Sequence, residues 1–185
     1  MINEIMADTK TRMKKSIATV KVELAKIRTG RATPGLLDHV VVSYYGNDVP
    51  LNQAATISVS DARTLSVQAW EKNMVPTIEK AILESQLGLN PVTAGEVVRI
   101  PIPALTEERR REMTKLVRTE GENGKVAVRN IRRDAISHAR DLVKSKDIGQ
   151  DDEKKGVEQI QSLTDQYTAE IDALIKEKEA EIMEV

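Results

Sequence analysis

Arg129, Arg132 and Arg133 fall inside eleven residues, KVAVRNIRRDA (125–135). The chemistry that such a set can do is anion binding, because a guanidinium is permanently charged and its planar fork matches phosphate or carboxylate oxygens. Read as a helix at about 100° per residue, with Arg118 as origin, the residues Arg111, Lys115, Arg118, Lys125, Arg129, Arg132, Arg133 and Arg140 lie between about −40° and +60°. Between Arg111 and Arg140, Glu122 is the one carboxylate that interrupts that arc. Leu116, Val117, Ala127, Ile131, Ala135 and Leu142 lie on the other side, which predicts one face for packing and one cationic stripe. A merely solvated face laced with i,i+4 ion pairs alternates in sign, and this one does not. Like charges such as Arg129 and Arg133 repel one another at i,i+4 unless a polyanion relieves them. The stripe therefore reads as a phosphate-contacting surface.

Catalytic chemistry has no comparable footing. His39 and His138 stand far apart in the sequence, in different domains, and neither has a second His at ligand spacing. SDAR at 60–63 offers a serine without a nucleophile elbow or partner triad, and reads as a hairpin turn. The glycines form neither a phosphate-binding loop nor a dinucleotide fingerprint. Cysteine is absent, which removes disulfides, thiolate ligands and a thiol nucleophile, and fits a reducing compartment. The reading is a non-enzyme that needs no cofactor and no metal.

The formal net charge of −1 hides a strong segregation. Residues 1–30 carry a net +4, 31–105 a net −2, 106–146 a net +5 and 147–185 a net −8. Aromatic residues make up only 2% of the chain, so stacking of bases on aromatic platforms is not how it would hold a nucleic acid. The stretch MINEIMADTKTRMKKS has no apolar core of signal-peptide length and no later apolar run reaches the length of a membrane span, which predicts a cytoplasmic protein without membrane attachment.

The elements that must position the stripe follow from periodicity. Met6, Met13, Val20 and Ile27, with Ile17 and Leu24 between them, mark the seam of a long first helix that stops at Thr29–Gly30. HVVVSYYG, AATISVS, RTLSVQAW and EVVRIPIP read as strands, with a short helix over 74–86. Thr106 can cap a second long helix running to about Lys146, some 60 Å in length, weakened in its middle by about 1 kcal/mol at each of Gly121 and Gly124. A third helix carries Val157, Ile160, Thr164, Tyr167, Ile171, Leu174, Lys178 and Ile182 at 3-4 spacing, and its acidic residues are expected to solvate its outer face. The fold class is therefore α+β. Residues 1–30 and 106–185 form an elongated three-helix bundle, and 31–105 form a small α/β domain inserted into it. Gly30, with the prolines on the domain side, predicts a hinge at Thr29, Gly30, Arg31, Ala104 and Leu105.

Taken in order, IRTGRATP, VVVSYYG, PLNQAA, LGLNPVTAG, LTEERRREMTKLVR, VAVRNIRRDA and KEAEIM strongly resemble the bacterial ribosome recycling factor family over essentially the whole chain. The resemblance implies a three-helix bundle hinged to a β/α/β domain in an L shape. It implies a monomeric translation factor that binds the post-termination ribosome and, with elongation factor G and GTP, splits it into subunits. By the same resemblance the bundle lies along large-subunit ribosomal RNA and the inter-subunit bridges. The family's functional arginines fall on Arg28, Arg110, Arg129, Arg132 and Arg133 of this chain, joined on the stripe by Arg118 and Lys125. Arg110 sits near −80° on the wheel, off the stripe centre. The reading set against it is a structural coiled-coil adaptor that turns the stripe on an acidic protein partner; steep salt dependence of binding to large ribosomal subunits separates the two.

Overall fold

In the computed structural model, which describes residues 1–184, the chain runs α1 (Ile2–Ala25), β1 (Val41–Tyr44), β2 (Asn47–Pro50), β3 (Ala55–Asp61), β4 (Thr64–Ala69), α2 (Val75–Leu83), β5 (Val92–Ala94), β6 (Val97–Pro101), α3 (Glu107–Lys144) and α4 (Gln150–Glu184). The fold class is α+β, with long helices and a small antiparallel sheet. Met1–Arg28 and Glu108–Met183 make one compact unit, and Thr29–Glu107 make the body of the other.

The first unit holds α1, α3 and α4. Ile5, Thr9, Met13, Ile17, Val20 and Leu24 are the buried residues of α1, spaced by three or four so that they share one face. The seam thus runs through Ile5 where the sequence suggested Met6, which is half-buried beside it. Ile27 lies beyond the helix, because α1 ends four residues before Thr29. Its last turn tightens into i→i−3 bonds, from the Lys26 N–H to the Glu23 carbonyl (3.3 Å) and from the Ile27 N–H to that of Leu24 (3.1 Å). Ile160, Thr164, Tyr167 and Ile171 are buried along α4, with Gly156 rather than Val157 starting the row. Each aliphatic side chain fully withdrawn from water here contributes about 1.5–3 kcal/mol before entropy is subtracted.

Along α3 the buried residues are Met113, Val117, Gly121, Gly124, Val128, Ile131, Ala135 and Ala139. The two glycines are seam residues of an unbroken helix, contrary to the weak middle their propensity suggested. A Cβ on Gly121 would lie 2.5 Å from Ile175 Cγ1, and one on Gly124 would overlap Val20 Cγ2 and come within 3.3 Å of Ile171 Cδ1. Close approach of neighbouring helices, not flexibility, is what these positions require. Leu116, placed on the packing side by the sequence, is half exposed, because the buried arc centres near −100° and excludes it.

The second unit is built on a sheet of order β3-β4-β6-β5, antiparallel throughout, with β1 and β2 as a separate hairpin. Leu65 pairs with Ile100 and Val67 with Val98, and all four are fully buried. Helix α2 adds Ile78 and Ile82 to the same apolar cluster, to which β1 contributes Val42. The β1–β2 turn places Tyr45 and Gly46 at φ of 49° and 84°, the left-handed pair that a two-residue hairpin demands. SDAR is indeed a hairpin connection: Asp61 accepts the Arg63 N–H at 2.9 Å, and this bond leads the causes that hold its carboxyl below the usual range. Strands β2 and β5 were not expected, and α2 is shorter than 74–86, its start preceded by a 3-10 turn at Lys72–Met74.

Candidate nucleic-acid interface

Because the buried arc of α3 centres near −100° and the cationic arc spans about −40° to +60°, the stripe flanks the seam instead of opposing it. Its near edge, Lys125 and Arg132, is half-buried, whereas Arg118, Arg133 and Arg140 project into solvent. That geometry brings α4 within reach. Arg118 Nε meets Glu179 Oε1 at 2.8 Å, Lys125 pairs with Asp172, and Arg140 Nε lies 3.8 Å from Glu153 Oε1. Arg132 Nη1 donates to Gln161 Oε1 (3.0 Å), whose amide nitrogen donates in turn to Asp165 Oδ1 (2.8 Å). Each step of seven along α3, Arg118, Lys125, Arg132, is answered by a step of seven back along α4, Glu179, Asp172, Asp165. This is the flanking charge ladder of two helices packed side by side.

The acidic residues of α4 are therefore not all outward solvating charges, as the sequence suggested; several are counter-ions to α3. Within α3, Arg129 Nη2 also reaches Glu122 Oε1 at 2.6 Å. Among the described residues, Lys115 and Arg133 form no ion pair within 4.0 Å, and both are exposed. Arg133 and Lys115, with Arg129 beside them, are the part of the stripe most open to an external anion. The paired members are held by solvent-exposed bridges worth about 0.2–1 kcal/mol each, which a phosphate can replace.

Arg28 lies past the end of α1, exposed and without an ion pair among the described residues. Arg110 is unlike the others. It falls on the buried side of α3, and its Nε is buried with no hydrogen-bond partner among the described residues. An orphaned guanidinium N–H is a costly feature for a fold alone to keep. Of the residues expected at a hinge, Thr29 is buried and Gly30 adopts φ +76°, its missing Cβ leaving room for Leu105, whose Cγ would lie 2.9 Å from such an atom. Thr29, Gly30, Arg31, Ala104 and Leu105 all fall on the second unit's side of the division of the chain.

In the second unit, Glu71 receives two phenols: Tyr44 Oη at 3.0 Å and Tyr45 Oη at 2.5 Å, with the rings edge to face at 4.7 Å. The hydrogen bond to Glu71 is the first cause raising both phenol pKa values, since it is lost on ionisation. No group of three or more His, Asp or Glu among the described residues is disposed to hold a metal ion, and no described helix is long and apolar enough to cross a membrane.

These features define a class: a two-unit α+β protein whose long helical bundle presents a partly self-neutralised row of arginines and lysines. The family model for ribosome recycling factor matches residues 20–183. Ribosome-recycling factors from Azoarcus sp. (strain BH72) and from Nitrosospira multiformis are 57% and 58% identical over 185 residues, covering all of both chains. A solution structure of a ribosome recycling factor covers 100% of this chain and 98% of its own, at 42% identity and a TM-score of 0.71. Another similar structure, at 46% identity, 98% coverage of both chains and a TM-score of 0.63, is the T. thermophilus factor described with E. coli elongation factor G bound to the E. coli post-termination complex. The chain belongs to the ribosome recycling factor family.

Proposed function

We propose that this protein binds the post-termination ribosome and, together with elongation factor G and GTP, separates it into subunits, contributing binding and leverage but no bond-making chemistry. The observation that carries the proposal is the full-length match to ribosome-recycling factors at 57% identity, beside a similar structure described with elongation factor G on the post-termination complex. In this reading Arg129, Arg132 and Arg133 contact ribosomal RNA phosphates, Arg118 and Lys125 exchange their α4 carboxylates for phosphate on binding, and Arg28 and Arg110 act near the start of α3. Thr29–Arg31 and Ala104–Leu105 carry the movement of the inserted domain (31–105) against the bundle (1–30 and 106–185) as the second factor engages.

Co-sedimentation with purified ribosomes, with and without elongation factor G, tests it. The protein should travel with 70S ribosomes and large subunits alone, and lose that association as salt rises, with a log–log slope of about −3 to −5 if four to six phosphates are contacted. Absence of ribosome association at low salt contradicts the proposal.

A further inference from the structure

Part of the α3 stripe is neutralised by α4, but a second cationic row has no ion pair among the described residues. Lys10, Lys14 and Lys21 of α1 fall within about 40° of one another on the helix and span about 16 Å along it. All three are exposed, and none has an ion pair within 4.0 Å among the described residues. The three carboxylates of α1, Glu4, Asp8 and Glu23, lie about 100° or more from the centre of the row, so the helix itself does not neutralise it. Lys10, Lys14 and Lys21 line an open groove of about 460 Å³ between α1 and α4, which continues past Lys10 as a second groove of about 390 Å³.

The wall that α4 offers here differs from the one it offers α3. Toward α3 it presents Glu153, Asp172 and Glu179; toward the lysines it presents Gln159, Ser162 and Gln166, with Glu170 as the one carboxylate lining either groove. A helix from a segment of net −8 that turns two glutamines and a serine, but one carboxylate, to three lysines leaves the groove with a net positive lining. We infer that the α1–α4 groove is a second phosphate-backbone contact, separate from the α3 stripe, which follows one strand of RNA with Lys10, Lys14 and Lys21. The inference rests on the ribosome-binding reading above and adds a face to it.

RNA suits the groove better than a protein does. Lysines are compact charges on flexible stems that accept phosphates at many geometries. A protein anchor needs a pocketed aromatic or apolar hot spot; here Ile17 and Tyr167 are buried in the bundle core, and the larger apolar side chains left on the lining, Met6 and Leu163, are half-buried beside Lys10, away from Lys14 and Lys21. Amide and hydroxyl groups on the α4 wall can donate to phosphate or ribose oxygens, as polar side chains do in backbone contacts.

The test compares the parent with Lys10→Gln/Lys14→Gln/Lys21→Gln, which keeps helix propensity, and with Lys154→Gln/Lys155→Gln, which removes charge from α4 outside the grooves. Circular dichroism confirms that each is folded. Affinity is measured against salt on intact large ribosomal subunits and on protein-free large-subunit RNA. The triple variant should bind at least about tenfold more weakly near 0.1 M salt on both targets, and its log–log slope should flatten by about two to three units, nearly one per lost phosphate contact. The α4 control should flatten by less than one. An unchanged slope in the triple variant overturns the inference while leaving ribosome binding standing. A loss confined to intact subunits assigns the groove to a protein and overturns it equally. A parent that binds neither target ends both this inference and the functional reading beneath it.

Discussion

Adding a single methyl group at Gly124 should destabilise the bundle, although Gly→Ala inside a helix ordinarily stabilises it by about 1 kcal/mol. The new Cβ would overlap Val20 Cγ2, and Val20 is 3% exposed. A β-branched side chain in a helix holds one χ1 rotamer strongly, so Val20 cannot turn aside, and Ile171 Cδ1 closes the other side at 3.3 Å. Overpacking of this kind costs about 1–3 kcal/mol, and where the obstructing group is stiff the upper part of that range applies. The net loss is then about 1–2 kcal/mol, which for a chain of this size lowers Tm by about 2–8 °C. Gly121→Ala also meets a β-branched side chain, with Ile175 Cγ1 at 2.5 Å, but Ile175 is only half-buried, so the overlap can be relieved toward solvent in a way that buried Val20 does not allow. That variant should stay within about 1 kcal/mol of the parent. Thermal unfolding followed by helical circular dichroism reads both, and adding Val20→Ala to Gly124→Ala should recover part of the loss as a favourable coupling. A Gly124→Ala protein more stable than the parent, or a larger loss at Gly121, refutes the close-approach argument.

Three further outcomes follow from the charges. Arg133→Ala, which removes an exposed cation with no ion pair among the described residues, should flatten the salt dependence of ribosome binding by nearly one unit without lowering Tm, and Arg132→Ala should weaken binding as well; binding unchanged in both variants removes α3 from the RNA contact. Asp172→Asn frees Lys125 from its α4 partner and should tighten binding to ribosomal RNA several-fold at low salt, with little change in helix content; weaker binding would make the pair a positioning device instead. Glu71→Gln should lower the ionisation midpoints of Tyr44 and Tyr45 toward those of free tyrosine in a tyrosinate absorbance titration. Since both folded pKa values are raised, the parent's stabilisation from these bonds is complete below the ordinary tyrosine pKa and is lost as pH climbs through the folded values.

The helices and the main strands were legible because their signals are strong: six apolar or threonine side chains on one face of α1, and β-branched alternation in β3, β4 and β6. What failed did so for physical reasons. Met6 keeps the seven-residue step to Met13 and Val20, but a straight helix drifts by about 20° per heptad from that repeat, and the neighbouring helices bury Ile5 and Thr9 instead. Gly121 and Gly124 look like weak helix formers until a partner helix occupies the space of their missing side chains. NDVP, which becomes β2, is poor in β-formers, and VTA, which becomes β5, is only three residues long, so neither declares itself. The stripe itself was plain, yet its counter-ions lie on another helix, where i,i+4 reasoning within α3 cannot find them. The seven-residue spacing of Asp165, Asp172 and Glu179, matched to Arg118, Lys125 and Arg132, was the available clue.

Subunit splitting is the most direct test of the account. Post-termination 70S ribosomes are mixed with this protein, elongation factor G and GTP, and light scattering follows the fall in particle mass. A drop that requires the protein, the second factor and GTP together, and that shrinks when Arg129 and Arg132 are both replaced by Ala, is the predicted result. Scattering that stays flat while the protein is bound to the ribosomes contradicts it.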